Sequence, residues 1–588
     1  MRPARWTFTA LACLAAGSVG LAQVGRGGTR WFAPLADAQR TSWIRVDQKI
    51  TPETMSAPGF RLQWTKAPGA EHGARGPLLQ GVTASGVTLF VPMSVVTGAG
   101  DRVYALDNDI AHVVWQRALD VEDRASLPSC AGAITSAATR IVPLDGSATA
   151  DPLARPPAPP GVGYRSLIGR PGEGNPMDSV RRQSQAARPA TPAPTPAPAA
   201  GAPAAPGAAS AAATTAAAPA RSPGDIPGAP RSATPVRGLA VPSGVVYVVG
   251  RDGRLRVLGL ASGKDLQKPA TFLPRGARFT APVGVDTRLY VATTGGCGGT
   301  ADGVWSIDLD SEAKPVVSWK TNGGPVVGAV AFTADGTLLA AVGSGTAIGD
   351  GKANAIVALD PQTLAVKDWF TRPDADFVTG PTVIRVGTRD VVAAATRDGR
   401  VVVLDAGALG GADHATPLAT SAPVAGAGGM VRRDAIAAWR QADGGDAFVL
   451  VPVDGPIAAG LASPNSPAGP GALVSLRLRA AADTVAVEPA WASRSLPAPA
   501  TPLVVNGVVF ALGAGRPAAG ARPASGAVLQ AYDGVTGKRL FTSGAAMTSP
   551  ASPGSLWSGL GQVFVGTADG TIHAFGFDDE RWALPRRR

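Results

Sequence analysis

The chain is poor in the side chains that carry thiol or imidazole chemistry: 588 residues hold three cysteines and four histidines. No two cysteines stand at the spacing of a redox pair or a zinc clamp, and no Cys-x-x-Cys-His stretch marks a haem attachment. Aromatic residues are 5% of the chain and do not interleave with a basic stripe, so no nucleic-acid partner is expected. No apolar run approaches the roughly 20 residues of a membrane-spanning helix, so no transmembrane segment is expected. Gly323-Gly324 and Gly343-Ser344-Gly345 are followed by no Gly-Lys-Ser/Thr, which excludes a phosphate-cradling loop and leaves short turns between strands.

Glycine (74) and proline (53) are abundant, alongside Val, Ala and Leu, which is the composition of many short strands joined by turns with at least one low-complexity tract. The net charge of +11 comes mostly from dispersed arginine, ending in Arg586-Arg587-Arg588. It fits either attraction to anionic envelope lipid or glycolipid, or simply a scattered basic surface. At the start, Arg2 and Arg5 precede the short apolar stretch Phe8 to Ala16, and Gly20-Leu21-Ala22 offers small residues before Gln23. This reads as a secretory signal cleaved after Ala22, giving a periplasmic or extracellular protein. Ala10-Leu11-Ala12-Cys13 faintly resembles an acylation site, which would instead anchor the mature chain to lipid.

Internal repetition dominates the remainder. A strand ending in Leu or Ile followed by Asp recurs at Leu106-Asp107, Ile307-Asp308, Leu359-Asp360 and Leu404-Asp405, and Tyr532-Asp533 is a variant. Weaker copies end at Leu258, Leu476 and Phe575, which makes eight units. Most gaps between them match one four-stranded blade. Asp accepts turn amides and Gly takes positive φ, so Asp533-Gly534-Val535-Thr536-Gly537 suits a tight strand connection. Each unit reads as three strands of meander, an Asp turn and a fourth strand. Large rings on or after that fourth strand (Trp64, Trp115, Trp319, Trp369, Trp491 and Phe541) are expected to wedge against the next blade. The last unit stops near Phe577 after its third strand, and Phe60-Arg61-Leu62-Gln63-Trp64 looks like an isolated fourth strand. The expectation is an all-β, eight-bladed propeller, with seven blades as the alternative, closed by an N-terminal strand that completes the last blade.

The expected organisation is a signal at 1–22, an N-terminal extension at 23–58, propeller at 59–145, an insertion at 146–236, propeller again at 237–577 and a basic tail at 578–588. Pro189 to Pro219 is nearly all Ala, Pro and Thr and cannot bury enough apolar surface to fold. It reads as a disordered spacer or as a loop insertion within the second blade. The extension carries Trp31, Trp43 and Asp37-Ala38-Gln39-Arg40-Thr41 without strand repetition, and is expected to pack on the ring exterior.

The units Asp533-Gly534-Val535-Thr536-Gly537-Lys538-Arg539-Leu540-Phe541 and Asp360-Pro361-Gln362-Thr363-Leu364 with Trp369 resemble the repeats of pyrroloquinoline-quinone (PQQ)-type propellers. The resemblance implies the fold across roughly 60–577. For function it implies several branches: dehydrogenases, outer-membrane assembly proteins, and other exported proteins. The enzymatic branch implies PQQ with Ca2+, the ion held by a Glu, an Asn and an Asp near the ring axis, often above adjacent cysteines. This chain has no adjacent cysteines. Trp439 with Asp434 and Asp443 is the cluster such a site would draw on.

Cleavage after Ala22 would leave Cys130, ahead of the insertion, and Cys297, between the second and third strands of blade 3. In a propeller those loops emerge on one face, so the two cysteines are either a disulfide joining blades 2 and 3 or two buried thiols. Asp413-His414, in a loop after a blade 5 strand, is either a weak metal or base site or a loop histidine paired with its neighbours. No catalytic or metal-ligating constellation emerges. The reading is a monomeric exported scaffold binding a protein or envelope ligand, with a PQQ- or metal-dependent dehydrogenase and an outer-membrane assembly partner as alternatives.

Overall fold

The alternation of apolar residues along each repeat dictates the architecture. In the strand Ala355–Leu359, Ala355, Val357 and Leu359 join one hydrophobic cluster, while Ile356 and Ala358 join the next. Side chains of a strand point alternately to opposite faces, so a strand apolar on both faces must be sandwiched between two sheets. Repeated eight times, this forces sheets to stack face to face until the stack closes. A computed structural model shows that outcome. It describes residues 31–73, 76–85, 92–121, 135–144, 244–433, 435–461, 471–518 and 523–578. The chain divides into two compact units, 1–154 with 240–588, and 155–239. The second lies wholly outside the described residues, as do the two termini.

Eight small, mainly antiparallel sheets form the ring, an eight-bladed β-propeller whose blades 1 to 8 take their consecutive strands from 82–118, 245–271, 283–320, 326–371, 382–420, 430–492, 503–542 and 551–576 in turn. Blade 4 is typical: Val326–Phe332, Leu338–Val342, Ala355–Leu359 and Val366–Thr371 meander from the axis to the rim. The eight strands expected to end each repeat are the third strands of the eight blades. Separate hydrophobic clusters join neighbouring blades, and the largest spans blades 7, 8 and 1. Its members Phe564 and Trp557 of blade 8 and Tyr104 of blade 1 make the closing interface as apolar as the others.

Closure also has a covalent-order component. Arg61–Lys66 pairs antiparallel with Ile572–Gly576, Leu62 opposite Phe575 and Trp64 opposite Ala574. The N-terminal strand is therefore the rim strand of the last blade, and it covers the edge that blade would otherwise expose. Blade 2 is the degenerate one. Its described sheet has three strands, Val245–Val249, Arg254–Gly259 and Ala270–Thr271, and its inner position is filled by the stretch around Thr139, which bridges Tyr247. The insertion thus falls between the inner and second strands of one blade. Among the described residues no helix is long and apolar enough to cross a membrane.

The turns follow from the side chains that make them. The Asp533 carboxylate accepts from the Val535 and Thr536 amides at 3.1 and 2.7 Å. Asp360 does the same with Gln362 and Thr363, at 3.0 and 2.8 Å. A second turn type uses Thr-x-Asp-Gly. Thr567 Oγ1 donates to Asp569 at 2.6 Å, and the Thr571 amide returns to the same carboxylate at 3.2 Å.

Candidate functional site: the axial channel

An eight-bladed ring leaves a hole, because eight inner strands cannot converge on one line. Each inner strand also presents backbone N–H and C=O groups toward that hole, and buried groups of this kind need partners. In this protein the partner is the chain itself. Residues 31–44, expected on the exterior, run through the channel instead. The local pattern could not distinguish the two placements: an apolar, tryptophan-bearing segment seeks burial, and only the closed ring shows where the unfilled space lies.

The segment visits the blades in ring order. The amides of Thr83 (blade 1) and Arg140 (blade 2) donate to the carbonyls of Trp31 and Phe32, both at 2.8 Å. Phe332 of blade 4 donates to Ala38 at 2.8 Å and Val383 of blade 5 to Gln39 at 3.0 Å. Ala438 of blade 6 donates to Thr41 at 3.0 Å and Val504 of blade 7 to Ser42 at 2.8 Å. Trp43–Ile44 then pairs in parallel with Leu503–Val505, the inner strand of blade 7. Finally the Asp47 carboxylate receives the Gly561 amide of blade 8 at 3.1 Å. One turn of chain contacts the ring from first blade to last.

Arg40 fixes this path. Its side chain is 1% exposed. Nε donates to the Val330 carbonyl at 2.8 Å, Nη2 to Ala281 at 3.0 Å and Nη1 to Pro34 of the segment itself at 2.5 Å. A planar guanidinium supplies diverging donors in a fixed fork, which suits three carbonyls from different elements. Burial pushes its pKa down to about 9, with Asp37 opposing, so the group is charged at neutral pH. The Asp37 carboxylate accepts from the Thr41 amide at 2.9 Å and the Thr41 hydroxyl at 2.7 Å, with Arg45 at 3.5 Å. Asp37 and Arg40 are thus engaged in holding the segment.

The PQQ-type resemblance implies an ion near the axis held by a Glu, an Asn and an Asp. The residues present do not fit that group. The axial carboxylate Asp37 is already committed to Thr41 and Arg45. Among the described residues no three His, Cys, Asp or Glu side chains converge to hold a metal. Trp439 lies not at the axis but between blades, stacked on Phe448 at 4.8 Å and facing Gly534 of blade 7. Asp434 and the side chain of Asp443 lie outside the described residues.

Away from the axis, Asp413 and His414 diverge. The Asp413 carboxylate caps its own turn, accepting from the Ala415 and Thr416 amides at 2.9 and 3.0 Å, and these bonds hold its pKa down at about 2. His414 stacks on Trp369 with ring centroids 3.9 Å apart, and its Nδ1 sits 3.1 Å from Asp368. Cys297 is half-buried in the turn Cys297–Gly299 between the second and third strands of blade 3, and Cys130 lies outside the described residues. The fourth-strand rings sit at blade junctions. Trp64 Nε1 donates to Asn108 at 2.8 Å, Trp115 Nε1 to Leu260 at 2.7 Å and Trp491 Nε1 to Gly534 at 2.9 Å, each a turn carbonyl of the following blade. Trp319 packs into the cluster joining blades 3 and 4, and Phe541 lies 6.0 Å from Phe575 of blade 8.

No family model matches this chain, and no curated protein matches it. Solved structures do. All-β eight-bladed propellers of the quinoprotein type share its fold. The quinohemoprotein alcohol dehydrogenase of Comamonas testosteroni superposes with a TM-score of 0.53 at 14% identity, over 93% of this chain and 80% of that one. A quinohemoprotein alcohol dehydrogenase from Pseudomonas putida HK5 gives 0.53 at 13% identity over the same shares. A europium-containing methanol dehydrogenase gives 0.52 at 13% identity, covering 93% of this chain and 98% of that one. At these identities the likeness concerns the fold.

Proposed function

We propose that this chain is an exported, non-catalytic propeller that binds a protein or envelope ligand through its face loops and rim. The single observation that carries this reading is the axial segment: the space nearest the ring axis is taken by residues 31–44, and the charged groups there are consumed in holding them. What stays accessible is the two faces and the rim, surfaces suited to presenting loops on a rigid ring. Arg2, Arg5 and the short apolar stretch before Ala22 support export to the periplasm or beyond. In that oxidising setting we further propose a Cys130–Cys297 bridge between blades 2 and 3.

The quinone-dependent dehydrogenase reading draws support from the shared fold alone, and the axial carboxylate Asp37 is committed to Thr41 and Arg45. Titrating the purified chain with PQQ and Ca2+ tests the choice. No shift in cofactor absorbance at micromolar concentrations, and no dye reduction with alcohols or sugars, is expected. Stoichiometric binding accompanied by dye reduction would overturn the scaffold reading. Non-reducing peptide mapping of the secreted protein checks the bridge.

A further inference from the structure

We propose that the axial channel is a peptide-binding site, built to take a turn-rich segment with a central arginine and occupied in cis by residues 31–44. This goes beyond the scaffold reading and stands whether or not the faces bind a partner.

Three observations carry it. The first is the mode of contact. Six ring amides, from Thr83 to Val504, donate to the carbonyls of Trp31, Phe32, Ala38, Gln39, Thr41 and Ser42. As in strand addition, main-chain bonds supply affinity and a pocket supplies specificity, with Trp43–Ile44 alone pairing as a strand. The specificity pocket here is the pair of ring carbonyls at Ala281 and Val330, which with Pro34 engage all three nitrogens of the Arg40 guanidinium. A lysine in its place could not span both ring carbonyls, because its donors radiate from one atom.

The second is that the segment is held in a shape it would not keep alone. Leu35, Ala36, Arg40 and Ser42 have φ of 63, 74, 59 and 53°, in the left-handed region that non-glycine residues avoid. Strain of this kind persists only where the surroundings over-determine it. The buried Trp31 Nε1, Gln39 Oε1 and Ser42 Oγ also lack hydrogen-bond partners. Strain and unpaired polar atoms both offset the gain from burial. The segment therefore behaves as a bound ligand with a finite affinity rather than as a core strand.

The third is the covalent connection. Asp47 and Asn506 hold the end of the segment, and Arg61–Lys66 belongs to blade 8. Between them, Glu53, Thr54 and Ser56 to Gly59 are exposed. A cut between Ala57 and Pro58 falls in the exposed stretch between the buried anchors Met55 and Phe60.

The experiment uses the full chain with a protease sequence inserted between Ala57 and Pro58. After cleavage of the folded protein, the N-terminal fragment is expected to co-elute with the ring, leaving the far-ultraviolet spectrum and the melting midpoint unchanged. A labelled peptide spanning residues 31–48, added in urea below the unfolding transition, is expected to exchange in at close to one per ring. The same peptide with R40A or R40K should exchange at least about tenfold less tightly. The proposal is overturned if the fragment leaves while the ring keeps its spectrum and midpoint. It is likewise overturned if cleavage unfolds the ring, if no exchange occurs, or if all three peptides incorporate equally.

Discussion

Arg40 donates through all three guanidinium nitrogens to buried carbonyls, two of them on blades 3 and 4. Removing one partner of a buried charge-assisted set leaves the acceptors desolvated and unpaired, which costs more than the bonds contributed. Arg40→Ala is expected to lower unfolding free energy by about 3 kcal/mol in urea denaturation at neutral pH. A loss within experimental error would mean that the channel relaxes around the gap. His573 offers a pH test. Burial lowers its pKa, with Asp569 acting in the opposite direction. Because the folded value lies below the unfolded value of about 6.5, the unfolded chain binds the proton more readily. Its contribution is therefore present above about pH 6.5 and is lost as the pH falls toward the folded value. The melting midpoint should drop as the pH falls below about 6.5, and His573→Gln should make that part of the profile shallower. An identical slope in the variant would assign the acid sensitivity to other groups.

At the scale of the element, the junction between blades is a ring from an outer strand seated on a turn of the next blade. Trp491, on Thr484–Ala492 of blade 6, is 2% exposed and donates to Gly534 at 2.9 Å. Gly537, at φ +69°, lies beneath it, and a Cβ there would stand 2.6 Å from the indole. The glycine is needed twice over, for its backbone angle and for the close approach of the ring. Trp491→Ala is expected to cost about 3–5 kcal/mol. Gly537→Ala should cost at least about 1 kcal/mol from the left-handed backbone alone. Thermal denaturation of both variants measures this. If the glycine variant is neutral, the turn shifts away from the indole more readily than its packing suggests.

For the whole molecule, all eight sheets are built from strands outside 146–236. Thr139 already pairs with Tyr247 across the point where that stretch departs, and Ile141–Val142 lies on the inner edge of blade 3. Replacing 146–236 with a Gly/Ser linker of about ten residues is expected to leave the melting midpoint within about 2 °C, since loop length enters stability only logarithmically. A collapse of the midpoint would show that the stretch contributes packing to the ring.

The repeat was legible because it is local: Asp and Gly at the turns, alternating apolar residues in the strands, and a strand left over at each end. Those features favour eight blades over seven and point to the pairing of Arg61–Lys66 with Ile572–Gly576, since each rests on chemistry within a few residues or on the need to cover a strand edge. Asp413 and His414 are adjacent in sequence, and adjacency does not set side-chain direction. Asp413 turns back on its own loop, and His414 reaches across to Trp369 and Asp368. The axial placement of residues 31–44 could not be read at all. Its partners lie from 45 to more than 450 residues away, and the left-handed angles at Leu35, Ala36, Arg40 and Ser42 contradict local preference. The sequence by itself determined the unit and its closure, and favoured eight copies over seven. Only the closed ring decided what fills the centre, because the hole and its unpaired amides do not exist until eight blades have met around them.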